Sequence, residues 1–264
     1  MNFRIILFFL LGFVVFSCQE AAQTADTASE TAKVAHHLDG APASLLKVLE
    51  THGGYDLWET QQAMTYTIPS KQEKHQIDLP TRKVRLETDK YTIGFDGQDV
   101  WLQQDSTHFG GSARFYHNLY FYFIAMPFVL ADPGIQYEEV APISFEGVDY
   151  PGIKISYEAN VGDSPDDNYI LYYHPETNVM EWLAYTVTYR SKEPSDNFRL
   201  IRYADWKSIN GLVLPQQLTW YKYEEGTVVE PSRDPMLVEG MSFSTTALDA
   251  ATFAMPEGAE VATK

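Results

Sequence analysis

Residues 114–134 read RFYHNLYFYFIAMPFVLADPG, the densest apolar and aromatic run beyond the first 17 residues of the chain. Gly110-Gly111 break whatever precedes it, and Ser112 is placed to cap a helix. Pro127 predicts an end or a kink near Ala125, and Asp132-Pro133-Gly134 close the segment. At about 100° per residue, Arg114, His117 and Asn118 share one face, which Phe121 and Ala125 continue. Past its first two turns the helix is therefore apolar all round and must be covered on both sides. Its apolar part, 119–131, falls short of the roughly 20 residues that a membrane-spanning helix needs. The run is expected to lie across a sheet, with its second side covered by loops or by a ligand.

Strand patterns stand on both sides of it. Ahead of it, 64–68, 74–79 and 83–87 alternate, and 91–95 and 100–103 flank the hairpin signal Asp96-Gly97. Behind it, 136–140 and 143–145 lead to Glu146-Gly147, and 152–157, 169–173, 180–189 and 198–206 are Tyr-rich and alternating. Asn210-Gly211 turns into 212–223, and 237–244 is the last clear strand. The tail 253–256 is expected to lay its Phe and Met back on the sheet. Near the start, APASLLKVLETH (41–52) predicts a helix with Pro42 in its first turn and Leu45, Leu46 and Leu49 in one stripe. Gly53-Gly54 end it, and 55–60 adds a turn with Trp58 inward.

About eleven strands with turns every 8–12 residues predict an α+β, mainly β fold. The expected form is a single strongly curved antiparallel sheet, an incomplete β-barrel. An N-terminal helix and a central aromatic lid helix lie on its concave face. Open edges need charge or cover, for which Lys74, Lys83, Glu138 and Glu139 are candidates.

Residues 1–17 read as a targeting segment: Arg4 supplies the positive region and 5–16 the apolar core. The segment ends Val15-Phe16-Ser17-Cys18 and resembles a bacterial lipoprotein lipobox, with the single cysteine of the chain at its end. The resemblance implies cleavage before Cys18 and its acylation by palmitate-like chains. Several such chains give lasting membrane attachment at about 0.8 kcal/mol per buried CH₂. With one cysteine, no intramolecular disulfide forms. Residues 18–40 are poor in large apolar side chains and read as a flexible tether, His36-His37 included. Residues 41–264 form one domain. The formal charge of −17 argues against nucleic acid and against charge-driven docking on anionic lipid.

Three stretches resemble the periplasmic lipoprotein-carrier (LolA/LolB-like) fold: LLKVLETHGGYDLW, YTIGFDGQDVW and RYADWKSINGLVLPQQLTWY. FYHNLYFYFIAMPFVLADPG, VGDSPDDNYILYY and MEWLAYTVTY are similar to an uncharacterised family of Bacteroidota lipoproteins. The wider resemblance implies an incomplete barrel with a helical lid and an apolar cavity for acyl chains. The lipobox at Cys18 implies a lipid anchor, a departure from the soluble carriers, and the expected location is the bacterial envelope, on the outer membrane. Fold does not fix function.

Phe115, Tyr116, Leu119, Tyr120, Phe123, Met126 and Phe128 either line such a pocket or fill the core beneath the helix. Arg114, His117 and Asn118 either hold an anionic head group or form the solvated first turns of the helix. Asp163, Asp166, Asp167 and Asn168 are weak candidates for calcium; the same residue types suit a long turn, and an EF-hand spacing is missing. There is no HExxH, G-x-S-x-G or P-loop, so no catalytic residue, metal or cofactor is assigned. The reading is an envelope lipoprotein that binds a lipid or another apolar ligand. The alternatives are a lipoprotein that docks another envelope protein through its acidic, Tyr-rich surface, and a hydrolase with a His–carboxylate pair in a cleft.

Overall fold

The computed structural model describes residues 38, 40–106, 108–157, 167–189, 191 and 193–263. The chain divides into Met1–His36 and His37–Lys264, and all described residues belong to the second unit. The targeting segment, Cys18, most of the tether, and Asp163 and Asp166 lie outside the described residues.

The strands preceding the aromatic run form one antiparallel meander. It comprises β1 (Ala63–Ile68), β2 (Glu73–Asp78), β3 (Val84–Glu87), β4 (Tyr91–Phe95) and β5 (Val100–Gln104). The strands following it form a second meander. These are β6 (Ile135–Phe145), β7 (Val148–Tyr157), β8 (Tyr169–Tyr173), β9 (Met180–Tyr185), β10 (Arg199–Ile209), β11 (Leu212–Glu224) and β12 (Thr227–Pro231). One late strand joins the two. Its first part, β13 (Met236–Leu237), pairs with β11; its second, β14 (Glu239–Ser244), crosses to β1. The amide of Val238 between them still donates to Gln216 O at 2.9 Å. Two hydrogen-bonded ladders thus make one strongly curved antiparallel half-barrel, and a short β15 (Glu260–Val261) borders β5.

This order places β5 and β6 at opposite ends of the curved surface. The connection between them must therefore cross the hollow, which is why the aromatic run becomes a lid. It does so in pieces rather than as one helix. The pieces are α3 (Ala113–Tyr116), α4 (Leu119–Ile124) and a 3₁₀ turn at Phe128–Ala131; they follow α1 (Ala43–Thr51) and α2 (Tyr55–Glu59) near the start of the domain. Short helices leave carbonyls without internal partners. Sheet tyrosines take two of these: Tyr203 donates to Phe123 O at 3.0 Å and Tyr137 to Leu130 O at 2.9 Å.

The main core lies between lid, α1, α2 and the concave face, and includes Met64, Tyr66, Ile77, Phe128, Ile155, Leu183 and Leu214. α1 presents Leu45, Val48 and Leu49 to it, whereas Leu46 is exposed, so the apolar stripe runs one position away from the expected one. His52 ends α1 wholly buried. Its Nδ1–H donates to Val213 O at 2.9 Å, and its bare Nε2 accepts from the Met180 amide at 3.1 Å. Burial pushes its pKa down to about 4, outweighing the Val213 hydrogen bond. A second cluster around Trp182, Tyr172 and Leu200 sits on the other face of β7–β11. On the other face of β4–β5, Gly94 leaves room for the Trp101 ring, whose Nε1–H donates to Phe253 O at 3.1 Å. Phe253 is buried as expected, but Met255 stands exposed. The strand expected over 180–189 stops at Tyr185, and β12 and β15 are additional to the expected set. Of the expected edge charges, Glu138 and Glu139 lie on the bordering strand β6, whereas Lys74 lies within the meander.

Candidate functional site

β2 alternates, and its inward positions are Glu73, His75 and Ile77. Two of these three are ionisable, on a face that is otherwise apolar. Glu73 is almost completely buried and accepts three hydrogen bonds. Oε1 takes the hydroxyls of Tyr91 (2.9 Å) and Tyr116 (2.7 Å), and Oε2 takes His75 Nε2 (3.3 Å). Tyr91 and His75 belong to the sheet; Tyr116 belongs to α3. One carboxylate thus fastens the first piece of the lid to the hollow.

The electrostatics follow from burial and hydrogen bonding. Burial pushes the Glu73 carboxyl upward, but the hydrogen bonds of His75, Tyr116 and Tyr91 outweigh it and hold the group below its usual range. Burial pushes His75 below the usual imidazole value despite the neighbouring carboxylate. At neutral pH this gives an anionic Glu73 beside a neutral His75 that carries its proton on Nε2. Burial, then the Glu73 charge, drives the Tyr116 phenol far above its ordinary range, so it stays a donor. His75 Nδ1 and the Tyr66 hydroxyl are buried without hydrogen-bond partners among the described residues, and the two rings stack at 4.6 Å. Lys71 Nζ lies 5.6 Å from the Tyr116 ring and 5.2 Å from that of Tyr120, at the outer side of the cluster.

The residues singled out within 114–128 fall on the lid, whereas Asp167 and Asn168 lie apart from it, just ahead of β8. Phe115, Tyr116 and Leu119 are partly exposed, whereas Tyr120, Phe123, Met126 and Phe128 are buried. Phe128 stacks on Trp58 at 4.8 Å, and Phe123 meets Tyr185 at 4.8 Å and Trp220 at 6.1 Å. Phe115 meets Tyr189 at 4.9 Å. His117 turns inward, with Nδ1 2.6 Å from Arg114 O and its ring 5.5 Å from Phe95. Asn118 Oδ1 is buried without a hydrogen-bond partner among the described residues. Ser112 caps α3, accepting from the Phe115 amide at 3.3 Å. Asp167 accepts from the Thr188 amide (2.6 Å) and hydroxyl (2.8 Å), and the Asn168 amide donates to Thr186. Among the described residues, no three His, Cys, Asp or Glu side chains converge as a metal site.

Glu73, Tyr91 and Tyr66 were not singled out in the sequence. The signal was there: starting the strand at Glu73 instead of Lys74 places a Glu and a His at inward positions of an apolar face. The pair also supplies the His–carboxylate contact that a hydrolase would need. However, its free nitrogen meets no hydroxyl. In the exposed loop after β5, Ser106 and Asp105 both approach the same nitrogen, His108 Nε2, at 2.8 and 3.1 Å. A relay needs one partner on each nitrogen.

Among the described residues, the half-barrel carries open clefts, of which two are well defined. One, of about 360 Å³, is lined by Glu181, Arg202, Trp206 and Tyr221. There Arg202 lies over Phe145 and Trp182, with Glu146 and Glu181 each 3.9 Å away, so its charge is matched internally. The other, of about 440 Å³, lies where β9, β10 and β11 reach the rim, and Tyr185, Arg199, Trp220 and Arg233 help line it.

Comparison with known proteins gives three kinds of result. A profile described as "Family of unknown function (DUF6503)" matches residues 100–226. No curated protein matches the chain. Among solved structures, a DUF1329 family protein from Desulfovibrio piger is similar at 11% identity and a TM-score of 0.44, over 78% of this chain and 95% of that one. A LolA superfamily protein from Nitrosomonas europaea gives 11% identity and 0.43, over 79% and 96%. A domain from Vibrio parahaemolyticus described as an outer membrane lipoprotein-sorting protein gives 9% and 0.34, over 73% and 87%.

Proposed function

We propose that the chain is an envelope lipoprotein, anchored to the outer membrane of a Bacteroidota-type cell through acylated Cys18. In this reading it holds a lipid or another apolar ligand between lid and curved sheet, without covalent chemistry. The observation that carries it is the way the lid is fastened. Its underside is aromatic, yet α3 is tied to the sheet by a phenol on a buried carboxylate, a directional side-chain contact that is no part of the sheet's own strand ladders. Phe115, Tyr116, Leu119 and Tyr120 would meet the ligand first, with Phe123, Met126 and Phe128 as the floor it displaces. Arg114, His117 and Asn118 would be the polar contacts along the lid.

Native mass spectrometry of the full chain, purified from membranes and then offered palmitate, tests this. The expected result is a bound mass beyond that of the anchor, together with faster amide exchange in α3 and α4. A protein that carries no ligand, takes up none, and keeps the same lid protection with palmitate present would refute the reading.

A further inference from the structure

The chain carries 36 acidic against 19 basic side chains, yet the rim cleft inverts that balance. Arg199, Lys222 and Arg233 line it against one carboxylate, Glu224. Lys222 is taken by Glu230 at 2.5 Å. Neither arginine has a carboxylate within ion-pair distance among the described residues. Arg233 lies over the Trp220 ring, its guanidinium carbon 3.6 Å from the ring centroid. A guanidinium over an indole face keeps its N–H edge free, and that edge matches the two oxygens of a carboxylate or phosphate. The arrangement is held in place from behind. Ser232 donates to Trp220 O through both its amide (2.8 Å) and its hydroxyl (3.1 Å), which fixes the backbone beside Arg233 against β11.

The floor of this cleft is also the edge of the core. Trp220 Nε1–H donates to the Tyr185 hydroxyl at 2.9 Å, and both rings touch Phe123 of α4. A continuous aromatic path therefore leads from the arginine edge to the underside of the lid.

We propose that the rim cleft takes the oxyanion head, phosphate or carboxylate, of an amphiphile whose chain passes Trp220 and Tyr185 to lie under the lid. This rests on the ligand-holding reading given above and adds the ligand's charge and the place of its head. Arg199 and Arg233 select the head; Lys222, already paired, contributes little.

The test is calorimetric titration of the full chain, held in a non-ionic amphipol, with dodecyl phosphate, dodecyl maltoside and inorganic phosphate. Dodecyl phosphate is expected to bind about tenfold or more tighter than the neutral maltoside. Arg233→Gln and Arg199→Gln should each remove most of that preference and leave maltoside binding unchanged, and Arg202→Gln, at an arginine already matched by Glu146 and Glu181, should leave the preference intact. Inorganic phosphate binding as tightly as dodecyl phosphate would support the oxyanion site and assign it to a free anion. Equal affinity for the two dodecyl compounds, or a preference lost with Arg202→Gln but kept with Arg233→Gln, would overturn the site and leave the lid reading standing. If neither dodecyl compound binds, the lid reading fails and inorganic phosphate alone decides: heat lost in Arg233→Gln supports the site, and no heat in the wild type overturns it.

Discussion

Replacing Tyr116 by Phe isolates the fastening of the lid. The lost contact is a phenol at 2.7 Å from a buried carboxylate, one of three donors to Glu73. A hydrogen bond to a charged group contributes about 1.5–3 kcal/mol. Once α3 lifts, the freed hydroxyl finds water, so the whole loss falls on the closed state. At about 1.4 kcal/mol per factor of ten, opening should become roughly 10- to 150-fold more populated. Tyr91→Phe is the matched control. It removes a donor from the same oxygen, but Tyr91 and Glu73 both belong to the sheet, so the contact persists when the lid opens. Both variants should lower the free energy of urea unfolding by a similar amount. Tyr116→Phe alone should speed the local exchange of the Tyr116, His117 and Tyr122 amides, which donate to Ser112, Ala113 and Asn118. Native-state hydrogen exchange at low denaturant reads both quantities. The reasoning is refuted if Tyr116→Phe costs under about 0.5 kcal/mol, the range of ordinary surface changes. It fails equally if the lid amides exchange only with global unfolding, as the β10–β11 amides should.

Three further outcomes follow from the fold. His52 has a lowered pKa, so the unfolded chain binds the extra proton between about pH 6.5 and pH 4, and stability should fall as pH drops through that window. The loss approaches about 3 kcal/mol at pH 4, and His52→Gln should flatten this limb of a urea-midpoint profile. The depressed carboxyl of Glu73 adds its own loss as pH falls further, from its unfolded value down through its folded one. Gly94→Ala puts a Cβ 2.1 Å from Trp101 Cζ2. Overpacking of this kind costs about 1–3 kcal/mol and should lower the thermal midpoint by about 2–4 °C per kcal/mol, with an altered near-ultraviolet signal from Trp101. Arg82 Nη2 donates to both oxygens of Asp132 at 2.7 Å and lies over the Phe121 ring, at partial exposure. Arg82→Gln should cost about 1 kcal/mol, diminish in high salt, and speed exchange of the Leu130 amide at the lid's exit.

What could be read in the sequence and what could not divide along a physical line. Punctuation was local and legible: Ser112 caps, Pro127 follows the end of α4, Gly53 and Gly54 end α1 with positive φ, and Gly97 makes the β4–β5 turn. Alternation gave most strands within a residue or two. The division of the lid into α3 and α4 had no local signal, because it serves two distant partners: Tyr116 must reach Glu73 on one meander and Phe123 must reach Tyr185 on the other. β12 did have a signal, since Glu225 and Gly226 both take positive φ, the hairpin geometry of an X-Gly pair. The Glu73 cluster was lost to a strand start set one residue late. The rim cleft depends on Arg199 and Arg233 meeting across 34 positions of sequence, and no pattern in a single chain announces that.

The lid's position also bounds what could displace it. Because the connection from β5 to β6 must cross the hollow, its rings fill space that any guest would need. Exchanging buried rings for a buried alkyl chain is close to neutral for the protein's own apolar surface. The unfavourable part of opening is then the directional contacts given up, at about 1.5–3 kcal/mol for the Tyr116–Glu73 bond and less for the neutral Tyr203–Phe123 contact. A twelve-carbon chain leaving water brings on the order of 9 kcal/mol, at about 0.8 kcal/mol per CH₂. Even after the entropy of ordering the chain, that exceeds the fastening. A small anion brings no such surface, so it can occupy the rim but should leave the lid shut. Amide exchange in α4 that is quickened by dodecyl phosphate and untouched by inorganic phosphate is the signature this balance requires.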